Sequence, residues 1–178
     1  LDAGDLIRQL MQEDLNVEEK TSKSDLVTNV DKATERFLVE GIHAQYEDQS
    51  FLTEEKTVEN EMGDHMWVID PIDGTTNFIF QKENFSISVA YFYQTKPVFG
   101  IVYDVMNKRM YWAHVDLGAY VDDLKLDQLD QNTELSHALL TGDVYRPGLF
   151  KISPEALKPK FLTHRFLGSG AIETGQVG

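Results

Sequence analysis

Asp70 and Asp73 stand on either side of Pro71-Ile72, at the end of a brief apolar run, Met66-Trp67-Val68-Ile69. Extended backbone with a turn lets both carboxylates and the Ile72 carbonyl face one space. Pro71 cannot donate to a sheet ladder, so strand pairing is expected to stop there. Gly74 lets the backbone approach a ligand closely. If Thr75, Thr76 and Asn77 open a helix, their amide N–H groups form an anion site. One short stretch therefore offers oxygen ligands for a hard cation and amide donors for a phosphate, the equipment of metal-assisted phosphoryl hydrolysis. An Asp-x-x-Asp pair alone is more often a surface turn. The hydrophobic strand before it and Gly-Thr-Thr after it argue for a site. An EF-hand does not fit, because the alternation of oxygen ligands that its loop needs is absent.

Glu54 is the third acidic candidate. If Glu54, Asp70 and Asp73 converge, each like-charged pair about 4 Å apart repels by roughly 4 kcal/mol at an effective dielectric near 20. Such a cluster needs cations or raised pKa values. Oxygen-only ligands favour magnesium or manganese over zinc.

The elements that must hold these groups follow from periodicity. Leu6, Ile7, Leu10 and Met11 fall at helical spacing. Residues 18–25 are polar and read as loop. Asp31 precedes a helical run with Phe37, Leu38 and Ile42 on one side, ending near Tyr46, and is expected as its N-cap, with Glu35 in the first turn. Phe51-Leu52 reads as a short strand and Met66–Ile69 as a buried one. From 85 to 121 the enrichment in Val, Ile, Tyr and Phe between short polar turns predicts an antiparallel meander. Leu139–Gly142 ends a strand, and Leu167–Ile172 reads as a strand-to-helix turn. Tyr145–Gly148 is expected as loop, and Glu55 as solvent-exposed. The order of helices, strands and mixed structure predicts a layered α/β or α+β fold, with one lobe over 1–122 and a second over 123–178.

Composition narrows the partners. The chain has 178 residues with 16 Lys plus Arg against 30 Asp plus Glu, a formal charge of −14. That balance argues against nucleic-acid polymers and anionic membrane surfaces, which need a basic face. A phosphorylated substrate remains compatible when a metal brings the positive charge. Cysteine is absent, which removes disulfides, thiolate zinc sites and thiol nucleophiles. No apolar run reaches the roughly 20 residues of a membrane span, and the start lacks a signal-peptide pattern, so a cytoplasmic protein is expected. The five histidines form no metal-binding pair at helical spacing and are expected as surface or packing residues.

Trp67-Val68-Ile69-Asp70-Pro71-Ile72-Asp73-Gly74-Thr75-Thr76-Asn77-Phe78 resembles the signature of the inositol monophosphatase family, magnesium-dependent, lithium-sensitive phosphatases of sugar and polyol phosphates. Asp25–Asp31 resembles the family's upstream segment, Ser50–Glu55 its Gly-Glu-Glu segment, and Arg165–Ala171 the turn that touches the substrate's hydroxyl-bearing ring. The resemblance implies an αβαβα sandwich, two or three Mg2+ ions with Mn2+ as substitute, a small phosphorylated substrate and usually a homodimer. By position, Glu54 would bind the first metal and help activate the attacking water. Asp70 would bridge two metals, and the Ile72 carbonyl and Asp73 would hold the second. Thr75, supported by Asp31, would hydrogen-bond the nucleophilic water. Gly74 and Thr75 amides would hold phosphate, with Asp73, Gly168, Ser169 and Gly170 near the substrate. Lys20 takes the place of a family lysine near the site.

Two departures accompany the match. Thr53 stands where the family has glycine, so the backbone there must accept a side chain. The family's later Trp-Asp motif, whose aspartate completes the second metal site, does not occur up to Gly178; the C-terminal part is expected to be incomplete, with residues also missing around 143–163.

Within the family, fructose 1,6-bisphosphate, adenosine 3′,5′-bisphosphate and NADP are alternative substrates. A non-catalytic metal or phosphate binder is a further alternative. The aspartyl-phosphate phosphatases, with Asp-x-Asp-Gly-Thr at a strand end, have one residue fewer between their aspartates, which changes the side chain that faces phosphorus.

Overall fold

Residues 54–64 carry the chain back to its starting end, so that the strands on either side lie next to each other in the same sense. The structure, a computed structural model, describes residues 1–21, 26–143 and 153–177. In chain order, α1 is Asp2–Leu10, β1 Val17–Glu19, β2 Leu26–Thr28, α2 Asn29–His43, β3 Ser50–Thr53, β4 His65–Asp73 and α3 Thr75–Phe80. Then follow β5 Ser86–Tyr93, β6 Lys96–Asp104, β7 Arg109–His114, β8 Gly118–Val121 and β9 Leu124–Lys125. The chain ends in β10 Leu139–Thr141, α4 Pro154–Leu157, β11 Thr163–Arg165 and α5 Gly170–Gly175. Seven strands form one sheet in the order β3-β4-β5-β6-β7-β8-β9. β3 and β4 run parallel, and every later pair is antiparallel. The expected meander is present. Its first turn is tight, with positive φ at Gln94 and Thr95, the sign that lets a two-residue hairpin follow the strand twist.

The period-2 pattern gives the sheet two unlike faces. One carries Ile69, Ile87 and Tyr103, and α1 and α2 cover it. Ile7, Val30, Ile72, Phe78, Phe85, Ile87, Tyr103 and Val105 form a buried cluster there. Burying each such side chain contributes roughly 1.5–3 kcal/mol, so this seam holds the helices to the sheet. On the other face α5 packs over Tyr111, where a side chain at Gly175 would strike the ring. Helices thus flank the sheet on both sides, the expected layered α/β arrangement. A second, parallel pair, β10 with β11, lies beyond it. No helix among the described residues is long and apolar enough to cross a membrane.

Several local expectations change. Thr28, rather than Asp31, is the N-cap of α2: its hydroxyl accepts from Val30 N and Asp31 N, and Asp31 returns a bond to the Thr28 N–H. Asp31 is the third helical residue of this reciprocal capping box. Phe37 is 42% exposed. The buried face runs instead through Val30, Thr34, Glu35 and Val39. The stretch read as loop from residue 18 begins within β1, which pairs with β2. Ser22 to Asp25 and Tyr145 to Gly148 lie outside the described residues. β4 does not stop at Asp70. Pairing with β5 shifts register and resumes at Asp73 opposite Ser86, so the sheet steps over Pro71 and Ile72.

Candidate active site

The register shift does chemical work. Residues three apart on a regular strand face opposite sides. Between Asp70 and Asp73 the irregularity resets that alternation, as a bulge does, and the two carboxylates come near enough for the Asp73 charge to act on Asp70. Ile72 N donates to Asp70 Oδ1 at 3.1 Å, fixing the turn.

Glu54 arrives by a different route. Thr53 pairs with Ile69 in the parallel β3–β4 ladder. One residue later Glu54 N donates to Ile69 O at 3.1 Å, so Glu54 lies alongside Asp70 at the common end of two parallel strands. Thr53 fits without strain: its N–H and hydroxyl both donate to Asn60 Oδ1, at 2.9 and 3.2 Å, and its carbonyl accepts from Asn60 Nδ2. The backbone there needs no glycine. Beside these residues lies a cleft of about 300 Å³ lined by Thr53, Glu54, Ile69, Asp70 and Ser88, among others.

The electrostatics are those of a site short of positive charge. Burial pushes the Asp70 carboxyl up to about 9, and the neighbouring charges of Glu54 and Asp73 add to it. Burial likewise raises Asp31, against the hydrogen bonds from Thr28 and Thr75 that favour its anion. Among the described residues, Lys20 is the cation that pairs with these acids. It donates to Glu54 Oε1 at 2.9 Å and Glu55 Oε1 at 2.5 Å. Burial lowers its pKa, but those two bonds outweigh burial and the net shift is upward. Glu55, expected to face solvent, has a side chain only 3% exposed. Burial raises its carboxyl to about 6 despite Lys20. Among the described residues, no three His, Cys, Asp or Glu side chains are placed so that they could together hold a metal ion. Glu54 is drawn to Lys20, and Asp73 is held by other donors.

Those donors come from α5. Ser169 Oγ and Ala171 N (2.8 Å) both donate to Asp73 Oδ2, while Ser169 Oγ also accepts from Ile172 N as N-cap. The preceding turn is tightly clamped. Glu173 Oε1 accepts from Leu167 N and Gly168 N at 2.5 and 2.9 Å. Asn77 Nδ2 donates to Leu167 O at 2.7 Å and to Asn84 O at 2.9 Å. Gly168 has φ +83, and a Cβ there would press on the Asn77 amide at 3.0 Å. Gly168 and Gly170 are exposed.

Thr75 joins the two helices of the site. Its hydroxyl lies 3.2 Å from Asp31 Oδ1 and 3.0 Å from Ile72 O. It is the first residue of α3, entered through Gly74 at φ +95, where a Cβ would crowd Asn84 O at 3.1 Å and Ser169 Cβ at 3.3 Å. The first intrahelical donor of α3 is Phe78 N to Gly74 O. The amides before it, from Thr75 to Asn77, are the unsatisfied set of a helix start.

The sequence offers Lys20 only through the resemblance, Glu35 as an acid in the first helical turn and Asn77 as a helix-opening amide, and it gives no sign of Glu173. Glu35 lies one helical turn after Asp31 on the face that carries Val39, and a carboxylate on such a stripe is the signal that was available. Glu173 and Asn77 leave no comparable pattern.

A model of the inositol monophosphatase family matches residues 1–176. The chain is 38% identical over 141 residues to the inositol-1-monophosphatase of Bacillus subtilis, covering 78% of this chain and 53% of that protein. A solved staphylococcal IMPase-I complexed with products superposes with a TM-score of 0.88 at 29% identity, covering 99% of this chain and 66% of that one. An IMPase/NADP phosphatase complexed with Mg2+ and phosphate superposes with a TM-score of 0.85 at 28% identity, with the same coverage. The chain thus spans about half the length of the curated relative.

Proposed function

The chain belongs to the inositol monophosphatase family, and from that premise we propose that it hydrolyses the phosphate monoester of inositol or a similar polyol or sugar, with Mg2+, by direct attack of water. The observation that carries this reading is the meeting of Glu54 and Asp70 at the end of two parallel strands, with Asp73 near enough after the register shift for its charge to act on Asp70. The donor set is all oxygen, which suits Mg2+ or Mn2+. Burial raises Asp70, and the charges of Glu54 and Asp73 raise it further, which is where a cation would favour the ionised form.

Glu54, Asp70, the Ile72 carbonyl and Asp73 would hold two or three Mg2+ ions. Bound there, they would polarise the phosphoryl group and lower the pKa of a water. The remaining work belongs to this chain's own atoms. The Thr75 hydroxyl has one proton to give, and Asp31 Oδ1 and Ile72 O are both in reach. With that proton given, its oxygen accepts from the attacking water and aims it. Asp31, its pKa raised by burial, is suited to receive a proton through Thr75. Glu54 would accept a hydrogen bond from the water's other hydrogen, which stays on the phosphate formed, while the phosphorus–oxygen bond to the polyol breaks and the departing alkoxide takes a proton from solvent. Gly74 and Thr75 amides at the start of α3 hold the phosphate. Ser169 and Ala171 occupy Asp73 Oδ2, which leaves its other oxygen for a metal. Gly168, Ser169 and Gly170 border the substrate's polyol. The same reading carries a homodimer and a cytoplasmic location.

Release of phosphate from inositol 1-phosphate by the full-length protein, with Mg2+ and with added Li+, tests the proposal. Turnover that needs Mg2+ and falls with Li+ supports it. Mg2+ binding without turnover of any phosphate monoester identifies a binding protein instead. Preference for NADP or fructose 1,6-bisphosphate keeps the mechanism and changes the substrate; the NADP phosphatase among the structural relatives is the observation that favours testing NADP first.

A further inference from the structure

Glu35 is fully buried, yet none of its hydrogen bonds serves its own helix. It lies four residues after Asp31 on α2, so the two carboxylates stand one above the other on one face. Asp31 reaches Thr75. Glu35 reaches the loop after β3: Oε2 accepts from Glu55 N at 2.7 Å, and Oε1 accepts from Thr57 N and Thr57 Oγ1, each at 2.7 Å.

Those three bonds straddle Lys56, whose φ of +53 lies in the left-handed region. A side-chain-bearing residue persists there when its surroundings over-determine it. Glu35 supplies that constraint on both sides, at Glu55 and at Thr57. A buried carboxylate costs more than a leucine unless donors satisfy it, and here every donor comes from this one loop. Glu54 is consequently pinned twice. Its own N–H is tied to Ile69 O on β4, and the next amide is tied to α2.

We propose that Glu35 is a positioning residue: it fixes Glu54 relative to Asp70 and Thr75, so that α2 works as a gauge holding the metal-binding loop and the water-orienting Asp31–Thr75 pair in register. The inference rests on the assignment of Glu54 as a metal ligand made above. Residues that orient ligands in this way alter metal affinity by about 10–100-fold when replaced.

The test is calorimetric titration of Mg2+ into the full-length protein and its Glu35→Gln, Thr57→Val and Glu54→Gln variants, with the Mg2+ dependence of phosphate release measured alongside. Glu35→Gln places an amide N–H against the donors of the loop. It is expected to raise the Mg2+ Kd about tenfold, while kcat at saturating Mg2+ stays within about threefold, because Asp31 and Thr75 are untouched. Thr57→Val removes one donor from the loop side without disturbing the helix, and is expected to raise the Kd roughly two- to fivefold. A purely structural Glu35 would lower thermal stability and leave the Kd where it was. If Glu54→Gln weakens Mg2+ binding but Glu35→Gln and Thr57→Val do not, the positioning role is wrong and the metal site stands. If Glu35→Gln does not fold, an unchanged Kd in Thr57→Val overturns the proposal by itself. If Glu54→Gln leaves Mg2+ binding unaltered, the ligand assignment fails and this inference falls with it.

Discussion

β4 has two unlike ends. At its start, His65 Nδ1 and the Tyr91 hydroxyl share a hydrogen bond of 2.6 Å, and Trp67 Nε1 donates to Gln49 Oε1 at 2.8 Å. The Trp67 ring packs against Tyr46, Tyr91 and Phe99 with centroids 4.9–6.3 Å apart. Polar tips are paired, and the rings pack on one another. At its other end, fewer than ten residues away, Asp70 is buried where the charges of Glu54 and Asp73 both act on it. One strand thus carries a region arranged for stability and a region arranged against it. The second kind is expected where a ligand supplies what the folded chain lacks.

That contrast can be broken at either end. The largest effect belongs to Asp70→Asn. Turnover by the full-length enzyme should fall by at least about 10²–10³-fold and calorimetric Mg2+ binding should be lost, while metal-free thermal stability at neutral pH rises. Retained Mg2+ binding would place the ligand set elsewhere. Trp67→Ala should do the opposite, costing about 2–4 kcal/mol in denaturant unfolding with Mg2+ affinity within twofold of the parent; a Kd shift tracking the stability loss would mean the two ends are coupled.

pH sharpens the comparison without a mutation. The Asp70 pKa is raised on folding, so the folded chain keeps a proton that the unfolded chain has already lost. The corresponding stability is complete below the ordinary carboxylate range near 4 and drains away as pH rises towards about 9. Glu55, raised to about 6, acts in the same sense over the lower part of that window. Melting temperatures of the metal-free protein should fall across the window. They should fall less in Asp70→Asn, and Mg2+ should offset the loss increasingly at higher pH. A melting temperature that climbs with pH in the absence of metal contradicts the repulsive arrangement.

Ser169→Ala removes both the α5 cap and a donor to Asp73. It should cost about 1 kcal/mol of stability and weaken Mg2+ several-fold, readable in the same titration. The smallest effect is expected for His65→Phe, which leaves the ring stack and loses one partly exposed hydrogen bond, about 0.5–1.5 kcal/mol. No change in the Mg2+ titration should accompany it.

The sequence exposed the site more fully than it exposed the site's supports. Asp70, Asp73, Gly74 and Thr75 are contiguous, so their chemistry shows without knowledge of the fold. The meander from 85 to 121 was equally legible, because strand and turn residues alternate there in short, regular blocks. Asp31 was found but misplaced as N-cap, since Thr28 and Asp31 both suit a helix start and only the reciprocal bonds between them settle the order. The continuation of β4 past Pro71 was missed because a proline forbids one ladder bond, not a strand that shifts register around it. The partners of Lys20, Glu35 and Glu173 were not legible, because they lie 34, 20 and 6 residues away along the chain, where no local pattern records the pairing.

The sequence by itself determined which groups are available: acidic oxygens and a phosphate-sized turn in one short segment, an excess of negative charge, and strands long enough to carry them. Tertiary structure decided which of those groups meet. The parallel pairing of β3 with β4 sets Glu54 beside Asp70, and the register shift brings Asp73 to the same side. Helix α2 ties the loop after β3 to Thr75 through two carboxylates a turn apart. Local propensities cannot encode such meetings, because each is a distance between segments that only the packed sheet and helices fix.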